Sequence, residues 1–243
     1  MPSAKNTASI PTETACSSIK LLIGPALAYG FPGRAGSQRA ILVQKPECNM
    51  GSQAVSRRVS IQDFVAELRK FPEASFDRTD SITRFLLDTP VSPDTLAPYL
   101  AWDPQHYTRN LIDKTQSYEL IAICWEIGQI SSVHNHRDQN CWMAVPTGRL
   151  MVENYHVIWQ DLKAGTCRLQ PADSVEMNPA HPCAVDPREP VHRVSNPREF
   201  GERAVSLHVY SRPFDTCVVY SPEQGTCGEI KLHYTTQYGK PAK

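Results

Sequence analysis

The 243-residue sequence lacks the features of several large protein classes. No apolar run approaches the roughly 20 residues that a membrane-spanning helix needs, which excludes a transmembrane helix. The chain has neither a G-x-G-x-x-G motif nor a P-loop, so nothing indicates a dinucleotide or nucleoside triphosphate site. It also has no dense cluster of Lys and Arg of the kind that lines a nucleic-acid groove. We therefore expect neither a membrane nor a nucleic acid among its partners.

The eight cysteines are scattered and form no C-x-x-C pair. This spacing excludes the common zinc and redox motifs that use paired cysteines. An even number would permit disulfides, but a chain of this length with 41% apolar residues can bury a core without them. We therefore predict a cytoplasmic protein whose thiols are mostly reduced.

Residues 1–59 are predicted to be a disordered basic leader. Residues 1–60 contain seven Lys and Arg against two Glu, in a segment with many Pro, Gly and Ser residues. The apolar patch at residues 21–28 is late and is interrupted by a Gly-Pro pair, so it makes a poor signal peptide. A transit peptide is one alternative. We favour a dispensable leader, or a functional start at Met50, over that alternative.

The ordered domain is predicted to span residues 60–240 and to begin with short helices over about residues 60–100. The first helix has apolar residues at helical spacing behind a serine in a near-capping box. These residues are Ser60, Ile61, Phe64, Val65 and Leu68. A second helix is predicted from about Ser81, and the sequence Ser92-Pro93-Asp94 indicates the start of a third.

From about residue 106 to 240 the pattern changes to short stretches rich in Val, Ile, Tyr and Trp. Glycines and prolines separate these stretches, of which YELIAICWEI and RAVSLHVY are examples. Many short strands with regular breaks are typical of an all-β sandwich or barrel rather than of βαβ units. The sequence therefore predicts a mainly β fold preceded by a short helical segment.

The stretch HNHRDQNC contains two histidines, His134 and His136, in or beside a predicted strand. Alternate residues of a strand share a face, so the two imidazoles can bind one metal ion. A pair of surface histidines is the alternative interpretation. A third ligand would come from a distant strand, and both His192 and His208 are candidates.

Ser206, His208 and Tyr210 alternate along the predicted strand AVSLHVY and share one face, opposite a fully apolar face. A sandwich strand normally turns its polar side to water. These three side chains can hydrogen-bond to one another. We therefore interpret the polar face as the lining of a pocket.

Several motifs in the same order resemble cysteine dioxygenase, a thiol dioxygenase family with the cupin fold. They are YTRNLI (107–112), ICWEIGQISSVHNH (123–136), Cys141, HRVSN (192–196) and SLHVYSRPFDTC (206–217). The resemblance spans about residues 60–240 and implies a cupin-type β-barrel, or jelly roll. The general cupin pattern has a Glu ligand where Cys141 stands, and a Gly where this chain has Pro190-Val191. The cysteine is itself characteristic of cysteine dioxygenases.

The resemblance implies a metal site and a substrate site. His134, His136 and His192 would be the three ligands of one Fe²⁺ ion per chain. Arg109 would bind the substrate carboxylate through its planar fork of donors, and Tyr107 would help to shape the same pocket.

The resemblance also implies a group of catalytic residues beside the metal. His208 would link Ser206 to Tyr210 by hydrogen bonds and would not be a metal ligand. Cys141 would become bonded to the ring of Tyr210, forming a thioether that acts as a protein-derived cofactor. Trp125 would pack over this group, with simple core filling as the alternative.

The function implied is the iron(II)-dependent oxidation of the L-cysteine thiol by O2 to cysteine sulfinic acid, and we expect the chain to act as a monomer. No organic cofactor is expected, because the substrate supplies the electrons. One alternative is a dioxygenase for another small thiol such as 3-mercaptopropionate, in which Gln typically replaces Arg109 and Gly replaces Cys141. Another is a non-catalytic metal-binding cupin, which would have no use for the aligned polar residues of the strand AVSLHVY.

Overall fold

The computed structural model of the protein describes residues 58–180, the backbone of residues 183–184, and residues 191–242. The predicted leader, residues 1–59, lies almost entirely outside the described residues, and its disorder and role stay a prediction. Within the described part of the chain, no helix is both long and apolar enough to cross a bilayer.

Two α-helices precede the strands, in the region where the sequence predicts them. They are α1 (Ile61–Leu68) and α2 (Thr79–Asp88). The hydroxyl of Ser60 accepts a hydrogen bond from the backbone N–H of Asp63, so this serine caps α1 as predicted. The second helix begins at Thr79, two residues before Ser81, where its apolar face predicts the start.

The third predicted helix is a 3₁₀-helix over Pro93–Tyr99 rather than an α-helix. The hydroxyl of Ser92 donates to the carboxylate of Asp94 and does not cap the backbone. Pro98 lies inside the segment and has no backbone N–H with which to continue an α-helix. Two further 3₁₀ turns are Glu73–Phe76 and Arg198–Phe200.

The described residues contain thirteen β-strands. They are β1 (Thr108–Lys114), β2 (Glu119–Trp125), β3 (Val133–His134), β4 (Cys141–Thr147), β5 (Leu150–Asp161), β6 (Thr166–Met177), β7 (Cys183–Ala184), β8 (Val191–Ser195), β9 (Ala204–Tyr210), β10 (Thr216–Ser221), β11 (Thr226–Lys231), β12 (Thr236–Gln237) and β13 (Lys240–Pro241).

The strands form two sheets. The first has seven strands in the order β13-β12-β1-β2-β9-β4-β7. The second has the order β10-β11-β6-β5-β8-β3 and closes into a ring because β3 also pairs with β10. This architecture confirms the prediction of a mainly β, cupin-type barrel preceded by short helices.

The turn between β4 and β5 contains a glycine that the backbone requires. Gly148 has a φ angle of +73°, in the left-handed region that side chains rarely adopt. A Cβ atom at this position would collide with the backbone oxygen of Arg203 and would lie 2.8 Å from the Cα of Ala204. The turn is therefore packed directly against the start of β9.

Both faces of β9 are buried, which explains why its polar face does not meet water. Val205, Leu207 and Val209 lie in one apolar cluster with Phe64 of α1 and Phe85 of α2. The helices therefore cover the apolar face of this strand. The opposite face, with the alternating polar residues, points into the barrel.

Candidate active site

Three histidine side chains converge inside the barrel. His134 ends β3, His136 follows two residues later, and His192 lies in β8. Because β3 pairs with β8, His134 and His192 stand directly opposite each other. One nitrogen from each of the three rings lies within 4.8 Å of the other two, and the ring planes are inclined to one another by 77–83°. Among the described residues, these three histidines are the one group with the composition and spacing of a metal site.

Three nitrogens of this group have no hydrogen-bond partner, which suits the group to a metal ion. His136 and His192 are each 1% exposed. Neither ring nitrogen of His136 has a hydrogen-bond partner, nor has the Nδ1 of His192. The Nδ1 of His134 donates to the backbone oxygen of Ser132 over 2.8 Å, which leaves its Nε2 as a possible ligand atom. A buried polar atom without a partner is costly, and a bound metal ion would satisfy one nitrogen of each ring.

The surroundings of the three histidines favour their neutral form. Burial lowers the pKa of His134, and it lowers the pKa values of His136 and His192 well below their ordinary range. The neighbouring imidazoles lower the pKa values of His136 and His192 further. The hydrogen bond to Ser132 raises the pKa of His134 in part, and the charge of Arg109 lowers the pKa values of His134 and His136. Neutral imidazole is the form that binds a metal ion.

A connected chain of polar contacts runs along the inner face of β9. The Nε1 of Trp125 donates to the Oγ of Ser206 over 2.9 Å. This oxygen lies 2.8 Å from the Nε2 of His208, and the Nδ1 of His208 lies 3.4 Å from the hydroxyl of Tyr210. Trp125 therefore makes a polar contact with the chain in addition to filling the core.

Burial also sets the charge state of this chain. It lowers the pKa of His208 to about 3, and the nearby charge of Arg109 contributes. It raises the pKa of Tyr210 well above its ordinary value, with the neighbouring Cys141 thiol acting in the same direction. Both side chains are therefore neutral near pH 7, so each can donate and accept hydrogen bonds.

Cys141 lies beside Tyr210 and not among the three histidines. The two residues stand directly opposite each other in the antiparallel pair of β4 and β9, and they are 1% and 2% exposed. Directly opposite residues have Cβ atoms about 4.5–5.5 Å apart. The sulfur of Cys141 also lies 4.0 Å from the Nδ1 of His208.

A pocket gives access to the histidine group and brings most of the predicted site residues together. Its lining includes Tyr107, Arg109, His134, His136, Tyr210 and Cys217. The ring of Tyr107 stacks on that of Trp125 with centroids 4.7 Å apart. Phe214, which was not among the predicted site residues, adds an apolar wall, with its ring edge-on to that of Tyr210 at a centroid distance of 5.0 Å.

Comparison with known families identifies the chain. The family model described as cysteine dioxygenase type I matches residues 50–223, which is more than half of the chain. The chain belongs to this family. Membership of the cysteine dioxygenase family confirms the resemblance that the sequence motifs indicate, and it confirms that the chain is an enzyme.

The curated relatives carry the same family name. The cysteine dioxygenase type 1 of Danio rerio is 26% identical over 193 residues, which cover 79% of this chain and 94% of the relative. That of Homo sapiens is 31% identical over 149 residues, which cover 60% of this chain and 72% of the relative. A solved protein with a double-stranded β-helix domain from Klebsiella pneumoniae is 14% identical over 56% of this chain and 87% of its own, with a TM-score of 0.36. That likeness is too remote to support an argument.

One buried residue near the cysteine dioxygenase site was missed by sequence reasoning. Glu119 begins β2 and lies close to Arg109 and Tyr234. It follows a turn, where a charged residue usually meets solvent. Tyr234 is 115 residues away in the chain, so no local pattern connects the two.

Proposed function

We propose that this enzyme uses one Fe²⁺ ion per chain, bound by His134, His136 and His192, to oxidise the thiol of L-cysteine with O2 to cysteine sulfinic acid. The observation that carries the proposal is the group of three converging histidines, of which His136 and His192 are buried with unpartnered nitrogens, beside a pocket that also contains Arg109. A ferrous ion would supply the redox chemistry that lets O2 take electrons from the thiol.

The reaction balances without a further reductant. One thiol and one O2 give one sulfinic acid, and both oxygen atoms end on sulfur. The sulfur gives up four electrons and O2 accepts them. The chain therefore needs groups that bind and orient the substrate, and it needs no organic cofactor.

Arg109 is proposed to bind the carboxylate of L-cysteine. It lines the same pocket as His134 and His136, and its side chain is 15% exposed. A guanidinium offers parallel N–H donors that match the two oxygens of a carboxylate. Three neutral ligands also leave the metal charge uncompensated, which favours a thiolate over a neutral thiol. Tyr107, held by its stack on Trp125, closes one side of the pocket.

His208 is proposed to position Tyr210 rather than to bind metal. An indole N–H only donates, so Ser206 accepts a hydrogen bond from Trp125. In a neutral imidazole one nitrogen donates and the other accepts, so His208 can link the serine hydroxyl to the phenol. The chain would hold the Tyr210 hydroxyl in one orientation beside the substrate.

A thioether between Cys141 and Tyr210 is proposed as a second device that orients the phenol. Its support is the direct pairing of the two buried residues across β4 and β9. The new bond joins the sulfur to the ring carbon beside the hydroxyl, and one S–H and one C–H bond are lost. Two protons and two electrons pass to O2 and give hydrogen peroxide. A phenol fixed in this way needs less ordering at each turnover.

The proposed activity is tested with the purified, iron-loaded protein. O2 uptake and sulfinic acid formation are measured with L-cysteine, and the metal content is determined. We expect about one iron per chain and about one O2 consumed per sulfinic acid formed. An iron-loaded protein that consumes no O2 with L-cysteine, or that has a higher kcat/KM for 3-mercaptopropionate, would contradict the proposal.

The thioether is tested by mass spectrometry after turnover. The crosslinked chain should weigh about 2 Da less than the unmodified chain, and a peptide joining Cys141 to Tyr210 should be recovered. Cys141→Ser should abolish the mass change and give a slower but active enzyme. Cys217→Ser is the matched control, since it removes another thiol at the pocket and should leave the mass change intact. A single unmodified mass after prolonged turnover would exclude the crosslink.

A further inference from the structure

The carboxylate of Glu119 is a buried ionisable group that the proposed chemistry does not use. Its residue is 0% exposed. It stands opposite Lys114 in the pairing of β1 with β2, and opposite Tyr210 in the pairing of β2 with β9. Ile121 and Ile123, two and four residues further along β2, belong to the apolar cluster inside the barrel. Glu119 therefore points to the same inner side of the sheet.

Three groups surround this carboxylate. A guanidinium nitrogen of Arg109 lies 3.7 Å from one oxygen, and the ammonium of Lys114 lies 3.6 Å from the other. The hydroxyl of Tyr234 donates to the second oxygen over 2.6 Å and accepts a hydrogen bond from Lys114 over 3.2 Å. Burial and the carboxylate raise the pKa of Tyr234, so the phenol stays a neutral donor.

The contact between Glu119 and Arg109 is close but incomplete. The Oε1 of Glu119 and the Nε of Arg109 are both buried, and neither has a hydrogen-bond partner. The separation of 3.7 Å is too long for a hydrogen bond. A buried charge is costly unless it is paired and hydrogen-bonded. A carboxylate kept at this position therefore calls for a reason beyond stability.

We propose that Glu119 is a positioning residue that orients the guanidinium of Arg109 toward the carboxylate of the substrate. This inference rests on the substrate-binding role proposed for Arg109. Arg109 lines the pocket and Glu119 lies behind it. A guanidinium has five N–H donors, so it can face Glu119 on one edge and a substrate on the other.

Lys114 completes the charge balance of the site. Two cations, Arg109 and Lys114, surround the single anion Glu119, which leaves one net positive charge. The carboxylate of a bound substrate would neutralise this charge. Without Lys114, Glu119 would cancel the charge of Arg109 and weaken the attraction for the substrate. Removing the charge of Glu119 would raise this net charge to two, so a purely electrostatic role predicts tighter binding of L-cysteine by Glu119→Gln, whereas the orienting role predicts weaker binding.

The test compares L-cysteine with cysteamine, which has the same thiol and amine but no carboxylate. Arg109→Gln, Glu119→Gln and the double variant are prepared as iron-loaded proteins. The Kd of each thiol is measured by calorimetry without O2, and KM and kcat are measured with O2. We expect Glu119→Gln to raise the Kd and KM for L-cysteine about threefold to tenfold and to change those for cysteamine less than about twofold.

The double variant shows whether Glu119 acts through Arg109. If it does, Glu119→Gln should add little to the loss already caused by Arg109→Gln, because residues that share one interaction are not additive. Additive losses would overturn the inference. If Glu119→Gln does not fold, Glu119→Asp replaces it, because this variant keeps the charge but shortens the reach to Arg109. It should show the same selective loss of affinity for L-cysteine. An equal loss for both thiols would overturn the inference.

Asp113→Asn is the matched control for removing a buried carboxylate. Asp113 lies on the same strand as Arg109, and its carboxylate also pairs with an arginine and a tyrosine, Arg69 and Tyr118. This variant should lower stability without changing the ratio of the two Kd values. If Arg109→Gln itself leaves that ratio unchanged, the proposed role of Arg109 fails. If Arg109→Gln changes it and Glu119→Gln does not, only the inference about Glu119 fails.

Discussion

Replacing His192 by Ala should remove the metal, whereas replacing His208 by Ala should not. The Nδ1 of His192 is buried without a hydrogen-bond partner, and a ligand atom of its ring lies within 4.8 Å of those of His134 and His136. Both nitrogens of His208 are in contact with other side chains, Ser206 and Tyr210 among them. The two histidines therefore differ in whether they have an atom left for a metal ion.

The size of the difference follows from the number of ligands. Binding of a four-ligand structural metal site contributes roughly 10–16 kcal/mol, so one ligand is worth about 3 kcal/mol, or roughly 150-fold in Kd. His192→Ala should weaken iron binding by about this factor. His208→Ala removes only a residue beside the site. Loss of such a supporting residue weakens metal binding by roughly 10- to 100-fold, and we expect a loss of about tenfold, at the lower end of this range.

The assay is the iron content per chain after dialysis against increasing concentrations of a chelator, with circular dichroism to verify folding. His233→Ala is the control, because His233 is an exposed histidine outside the pocket. It should retain iron as the unmodified chain does. If His208→Ala loses iron as completely as His192→Ala, the assignment of the ligands is wrong.

Three further outcomes are expected. Trp125→Phe removes one buried N–H donor and should lower kcat about twofold to tenfold at unchanged iron content, and unchanged kcat would contradict this. Gly148→Ala should lower the free energy of unfolding by about 3 kcal/mol in denaturant. Gly201→Ala is the control and should cost about 1 kcal/mol, because a Cβ at Gly201 would have no atom within 4 Å. Equal losses in the two variants would refute the packing of Gly148 against β9. Burial raises the pKa of Asp113, but hydrogen bonds from its arginine and tyrosine partners outweigh this and hold the pKa below its ordinary value. Stability should therefore fall as the pH drops from about 4 through the folded pKa, and Asp113→Asn unfolding curves should lack this loss.

Local sequence patterns predicted the elements whose stability is local. The helix α1 was predictable because its cap and its apolar stripe lie within nine residues, Ser60 to Leu68. The helix from Pro93 begins where it was predicted, and it is a 3₁₀-helix. The side chain of Ser92 hydrogen-bonds to Asp94 and not to the backbone of the helix. The sequence alone does not decide between these two partners.

The third histidine of the metal group could not be chosen from local pattern. His192 and His208 both lie in predicted strands, so either could supply the third ligand. The pairing of β3 with β8 sets His192 opposite His134, whereas β9 belongs to the other sheet. Pairing between distant strands depends on tertiary packing, and only the family resemblance favoured His192 in advance.

Glu119 was missed for a related reason. Its partners come from β1 across a register shift between Leu111 and Asp113, and from Tyr234 near the other end of the domain. The sequence shows only an acidic residue after a turn. Helices cover the outer face of this sheet, so the inner face lies inside the protein as well. A period-two pattern in the sequence does not show that both faces are buried.

The metal group and the polar chain belong to different sheets. His134 and His192 lie in the closed ring of strands, whereas His208, Tyr210 and Cys141 lie in the seven-stranded sheet. Substitutions along β9 should therefore alter the polar chain without removing a histidine of the metal group, and substitutions of His134 and His192 should leave the polar chain in place. A designer seeking a new oxidation on this scaffold would vary β9 first and leave the ring untouched.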